Sequence, residues 1–188
     1  MPLTTLDPKT ALIVIDLQKA IVGRPGLAHP VEGVVKNAAT LAAAFRRHNL
    51  PVVLVNAGGR PSGRTEQQFQ MTNLPPDWME LVPELGVQPS DIRVTKKTWG
   101  AFASTDIGHR LKDLGVTEVV VVGIATSAGV ESTARQAYEA GYNVALALDA
   151  MTDMSPEAHD NSVKRIFPRI GETATTADIV SRLDDMEK

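Results

Sequence analysis

The sequence predicts a three-layer α/β sandwich, with helices on both faces of a mainly parallel, doubly wound sheet. Three observations carry this. Short apolar runs rich in β-branched residues recur along the 188-residue chain, and amphipathic helical patterns separate them. The runs also lack the polar alternation of a sheet with one face in water. Residues 11–15 form the first run. Residues 31–48 follow with Val31, Val34, Val35, Ala38, Ala39, Ala42 and Phe45 at helical spacing. Further strands are expected at 51–55, 92–94, 117–124 and 143–148. Helices are expected at 105–114, closed by Gly115, and at 129–140, with Gly141 at the position that favours a left-handed residue. Ser155-Pro156-Glu157 supplies an N-cap hydroxyl, a proline at the first helical position and an acid in the first turn. A last helix starts near Thr176. The long connection 56–91, rich in Gly, Pro and Gln with Trp78 inside it, reads as a rim or lid segment, or as an irregular excursion around one helical turn at 77–81.

Composition narrows the function class. The length suits one domain, residues 1–188, and 43% hydrophobic content is that of a chain with a buried core. A net charge of −3 gives no reason to expect nucleic acid or an anionic membrane as partner, which leaves small molecules and protein contacts. The longest apolar run, 119–125, is far too short to span a bilayer, and the first residues lack a basic segment followed by an apolar one. A cytoplasmic location is therefore expected. The chain has no cysteine, so neither a disulfide nor a thiolate nucleophile is available.

Ligands of a doubly wound sheet bind beyond the carboxyl ends of its strands. Three polar features follow strands here. Asp16 stands directly after 11–15, as a helix cap or a reactive carboxylate. Lys96 and Lys97 follow 92–94, as solvated charges or functional ones. Residues 125–129 join the most apolar strand to a helix, as a plain turn capped by Ser127 or as an anion site built from amino-terminal N–H groups.

Taken together, these segments resemble the isochorismatase-like hydrolases. Ala11-Leu12-Ile13-Val14-Ile15-Asp16-Leu17-Gln18 resembles the opening strand of that family, whose aspartate is catalytic. Lys96-Lys97-Thr98-Trp99-Gly100-Ala101-Phe102, followed by Thr105-Asp106, resembles its lysine motif, in which the catalytic lysine lies six residues before the phenylalanine; this selects Lys96. Gly123-Ile124-Ala125-Thr126-Ser127-Ala128-Gly129-Val130-Glu131-Ser132-Thr133-Ala134-Arg135 resembles its active-site turn, and Asp149-Ala150 matches after the next strand. The resemblance runs in order along nearly the whole chain. It implies the α-β-α fold, a non-proline cis peptide at Ile124-Ala125, and backbone N–H groups of Ala125 and Gly129 facing a substrate oxyanion.

The departure from the family pattern is Gly129, where most members carry the attacking cysteine. True isochorismatases resemble this chain in having glycine there, and they hydrolyse a vinyl ether. That chemistry needs a proton donor and water but no protein nucleophile. The resemblance thus implies Asp16 as general acid and Lys96 as its partner, orienting a substrate carboxylate or holding Asp16 in place. Gln18, Asn56, Trp99 and Phe102 join Ala125 and Gly129 as expected substrate contacts. An ammonium beside Asp16 lowers its pKa while a donor at neutral pH needs it raised, so burial or the substrate's own charge must prevail. No histidine is placed to activate Ser127, Ser132 or Thr133, and Ser132 and Thr133 are expected to pack or bond back within the helix. His29, His48, His109 and His159 are scattered, and no metal or other cofactor is expected. Many members self-associate, so a homo-oligomer is expected. Two other readings stand beside the vinyl-ether hydrolase of a small organic anion such as isochorismate: a binding protein that kept the pocket without catalysis, and an amidase in which Asp16 activates water.

Overall fold

The structure is a computed structural model, which describes residues 3–66 and 74–186. Its core is a six-stranded, all-parallel sheet in the order β3-β2-β1-β4-β5-β6, formed by β1 (Thr10–Ile15), β2 (Val52–Ala57), β3 (Ile92–Lys96), β4 (Glu118–Ile124), β5 (Asn143–Thr152) and β6 (Glu172–Ala174). Strand order reverses between β1 and β4, which pair from Thr10↔Glu118 to Ile15↔Gly123. This switch point is where a doubly wound sheet opens a crevice at its carboxyl edge.

The period-two geometry of strands sorts the apolar runs onto two faces. Leu12, Val14, Leu54, Val120 and Val122 meet α2 (Val31–Arg47) and α6 (Thr176–Asp185) through Leu41, Phe45, Ile179 and Leu183. Ala11, Ile13, Ile15, Val53, Val119 and Val121 meet α3 (Ile107–Asp113) and α4 (Glu131–Glu139) through Ile107, Leu111, Ala134 and Ala137. Both faces of the sheet are therefore dry. This accounts for runs without polar alternation. Helix α6 carries a full capping box, Thr175 and Asp178 each accepting from the other's backbone N–H.

Several boundaries differ from the sequence reading. β6 is only three residues long and offers no apolar run, and α1 (Lys19–Val22) is a single turn with no buried residue. β3 extends to Lys96 and β5 to Thr152. The register of β5 on β4 shifts between Val121 and Gly123, so Asp149 lies inside the strand rather than after it. There it accepts from Thr176 N–H at 2.7 Å and ties the sheet to α6. The helix expected from 129 begins earlier, as a wide turn over Thr126–Val130, before α4 proper. Ser155 caps α5 (Pro156–Asn161) as expected, accepting from Ala158 N–H at 3.1 Å.

Candidate active site

Asp16 ends β1 in the left-handed region, at φ +54°. Aspartate tolerates this conformation better than most residues. Its N–H still donates to Val55 C=O, completing the last β1–β2 bond, after which the chain turns away. Lys96 arrives from β3, two strands over. In this strand Val94 and Lys96 are buried while Arg93, Thr95 and Lys97 are exposed, so the alternation that buries Val94 also brings Lys96 inward. Lys96 Nζ lies 2.7 Å from Asp16 Oδ2 and donates to Thr98 C=O at 3.2 Å. Both side chains are almost fully buried, and Asp16 Oδ1 is a buried oxygen with no hydrogen-bond partner. Burial raises the Asp16 pKa to about 6, outweighing the lowering by the Lys96 charge and its hydrogen bond.

Strand β4 delivers the third part. Gly123 sits at φ +122° against β1, where a Cβ would come 2.0 Å from Ile15 C=O, so no other residue fits. The Ile124–Ala125 peptide is cis, as the resemblance implied. Ala128 and Val130 N–H donate back to Ala125 C=O. Thr133 Oγ1 donates to Gly129 C=O at 2.6 Å and accepts from Ala101 N–H at 3.1 Å, so it bonds back to the turn and carries no nucleophilic role. A Cβ at Gly129 would stand 2.9 Å from Ile15 Cγ2 and 3.3 Å from Asp16 Oδ2. A side chain at residue 129 would therefore stand against Asp16, crowded by Ile15.

Ser127 does not cap this turn. Asp153 does, through Oδ2 accepting Ser127 N–H at 2.7 Å, while its Oδ1 accepts Ser155 N–H at 3.2 Å. One buried carboxylate thus braces both the turn and the start of α5. Thr126 Oγ1 is 2.9 Å from His159 Nδ1, and the His159 ring packs edge-on to His29 with centroids 4.6 Å apart. Burial and the neighbouring His29 hold His159 below the usual histidine pKa. Sequence reasoning missed Asp153 and this pair of histidines. The signal for Asp153 was a lone acid two residues before a helix-capping serine.

Asp16, Lys96, Trp99, Ala125 and Gly129 converge on a cavity of about 980 Å³, with Ile124, Ala128 and Met154 in its wall. Arg24, Arg60 and Glu66 add charge around it. Residues 57–66 of the long connection contribute much of the rim, and the stretch 67–73 of that connection lies outside the described residues. Trp99 is 64% exposed, an indole presented at the mouth. The other expected contacts do not line this cavity. Gln18 is wholly buried, and its amide is spent on Ala57 and Trp78 backbone. Asn56 donates to Met79 C=O at 2.9 Å and accepts from Thr95 Oγ1 at 2.7 Å. Phe102 packs against Tyr142 in the layer under the sheet, with ring centroids 5.9 Å apart. Among the described residues, no group of three or more His, Asp or Glu side chains is placed to hold a metal ion. No described helix is long and apolar enough to cross a membrane.

An acid–lysine pair thus stands at the switch point of a doubly wound sheet, beside the 126–130 turn. Residues 10–178 match the isochorismatase domain family, and the chain belongs to that family of hydrolases. The isochorismatase family protein YwoC of Bacillus subtilis is 41% identical over 185 residues, covering 93% of this chain and 94% of its own. YecD of Escherichia coli O157:H7, of the same family, is 39% identical over 93% of this chain and 96% of its own. The solved structure of an isochorismatase family protein from Burkholderia thailandensis superposes with a TM-score of 0.91 at 42% identity, covering 96% of this chain and 98% of that one.

Proposed function

We propose that this chain hydrolyses the vinyl ether of a small organic anion, isochorismate being the substrate with the clearest chemical rationale, without a protein nucleophile. One observation carries the reading: in a chain without cysteine, Asp16 is a buried carboxylic acid with a pKa near 6, its Oδ1 unpartnered and its Oδ2 beside Gly129. Asp16 Oδ2 is held by Lys96, so the proton resides on Oδ1 when the acid is neutral. It passes to the methylene carbon of the enol ether, and the adjacent carbon becomes an oxocarbenium ion. Water adds to that carbon and gives a proton back to Asp16. The resulting hemiketal collapses to pyruvate and the ring alcohol, so one water is consumed and the acid is regenerated. Lys96 has three donors, two of them engaged by Asp16 and Thr98, which leaves one for a substrate oxygen. Arg24 and Arg60 supply positive charge for carboxylates. Gly129 lines the cavity and keeps a side chain away from Asp16.

The test is to offer the purified protein enolpyruvyl ethers, including isochorismate, together with carboxamides and ureides, measuring pyruvate and ammonia. Pyruvate from an enol ether, lost in Asp16→Asn, is the expected result. Ammonia alone would overturn the reading in favour of a cysteine-independent amidase. No turnover, with small carboxylates still raising the thermal midpoint, would overturn it in favour of a binding protein.

A further inference from the structure

We infer that Gln18 is a positioning residue, whose side-chain amide replaces the missing end of β1 and thereby keeps Lys96 in register with Asp16. The inference rests on the reading of Asp16 and Lys96 as the working pair. Backbone groups of alternate residues in a strand face opposite neighbours. On β2, Val55 C=O faces β1 and receives Asp16 N–H. The next residue facing that side is Ala57. By then β1 has left the sheet, because Asp16 turns at φ +54° to put its carboxylate at the crevice. That turn would leave the N–H and C=O of the half-buried Ala57 without strand partners.

Gln18 closes the gap. Its Oε1 accepts Ala57 N–H at 2.7 Å and its Nε2 donates to Ala57 C=O at 3.2 Å, in place of the C=O and N–H that a continued parallel β1 would offer from two successive positions. The same Nε2 donates to Trp78 C=O at 3.2 Å, fastening the returning end of the long connection to the same point. Ala57 is paired in register with Lys96, and the following Gly58 N–H donates to Lys96 C=O at 2.8 Å. An unbroken path of hydrogen bonds therefore runs from the Gln18 amide through the end of β2 to the Lys96 backbone. Lys96 is the last residue of an edge strand, and among the described residues β2 is its only strand neighbour. A side-chain amide both accepts from the N–H and donates to the C=O of one residue; a carboxylate or an apolar side chain cannot.

Carboxyl ¹³C titration of Asp16 by NMR tests this without a substrate. Lys96→Met should raise the Asp16 midpoint, because the charge that lowers it is gone. Gln18→Met, close in volume but without the amide, should raise it in the same direction by about half a pH unit, a threefold gain in proton affinity, as Lys96 drifts from its place. Should Gln18→Met not fold, Gln18→Asn, whose amide stops one methylene short of Ala57, is read the same way. On a turned-over substrate the folded variant should lose kcat with KM little changed. A Gln18 variant that is folded and titrates Asp16 as the wild type does, while Lys96→Met moves it, would overturn the inference and leave the catalytic reading intact. Lys96→Met leaving the midpoint unmoved would overturn the pairing on which both rest.

Discussion

Placing a thiol at residue 129 asks whether this site retains the arrangement in which its relatives activate a cysteine. In Gly129→Cys the Cβ would lie 3.3 Å from Asp16 Oδ2, with Lys96 2.7 Å from the same oxygen and the 126–130 turn supplying amino-terminal N–H groups. The Lys96 ammonium and the N–H groups, working against the Asp16 carboxylate, would lower a thiol pKa from about 8.5 to roughly 6.5. At pH 6 the thiolate fraction then rises about 75-fold over an ordinary thiol, while the lower basicity costs about 8-fold in nucleophilicity, leaving a net gain of about 10-fold. Ser181→Cys, on the exposed face of α6, is the reference. The assay is the rate of release of thiopyridone from a neutral dipyridyl disulfide at pH 6. The same Cβ comes 2.9 Å from Ile15 Cγ2 in the packed core, so the variant should also lose about 1–3 kcal/mol, or roughly 3–9 °C in thermal midpoint. A 129 thiol that reacts no faster than the 181 thiol would refute the argument that the turn, Asp16 and Lys96 form an activating site.

Three further outcomes are expected. With Asp16 as the acid and its pKa at about 6, the protonated form is the active one, so kcat/KM should be flat below that value and fall tenfold per pH unit above it. A profile that rises with pH through 6 would mean that Asp16 works as a base. Asp153→Ala should cost about 1 kcal/mol by removing the acceptor of the part-buried Ser127 N–H, and Asp153→Asn, which keeps an acceptor, should recover part of it; calorimetry decides. The resemblance to the family implies self-association, so light scattering at micromolar concentration should give at least twice the mass of the 20.2 kDa chain, and a monomer would contradict it.

The layers of the fold were legible because both faces of the sheet are covered: 11–15 and 119–124 carry no charged residue, as strands buried on both faces require. β6 escaped because Glu172-Thr173-Ala174 pairs along one edge and buries only Ala174. At the site, Asp16 could be read from its place after a strand. The choice of Lys96 over Lys97 came from the family motif, yet the alternation Val94-in, Thr95-out would have made it independently. Gln18 and Phe102 were named for lying near Asp16 and Lys96 in sequence, and Asn56 for following the second strand. Neither ground says which way a side chain points, and here the chain turns between Asp16 and Gln18. Asp153 was hidden because its partner, Ser127 N–H, is 26 residues away and is a backbone group that no motif records.

Isotopic labelling of the products tests the central claim most directly. Turnover of isochorismate in D₂O, with pyruvate trapped at once by reduction to lactate, should place one deuterium in the methyl group. In H₂¹⁸O the ring alcohol should keep its original oxygen, because water adds to the enol carbon. Asp16→Asn should release neither product at a measurable rate. A methyl group without deuterium, ¹⁸O in the ring alcohol, or undiminished release by Asp16→Asn would each contradict protonation of the vinyl ether by Asp16.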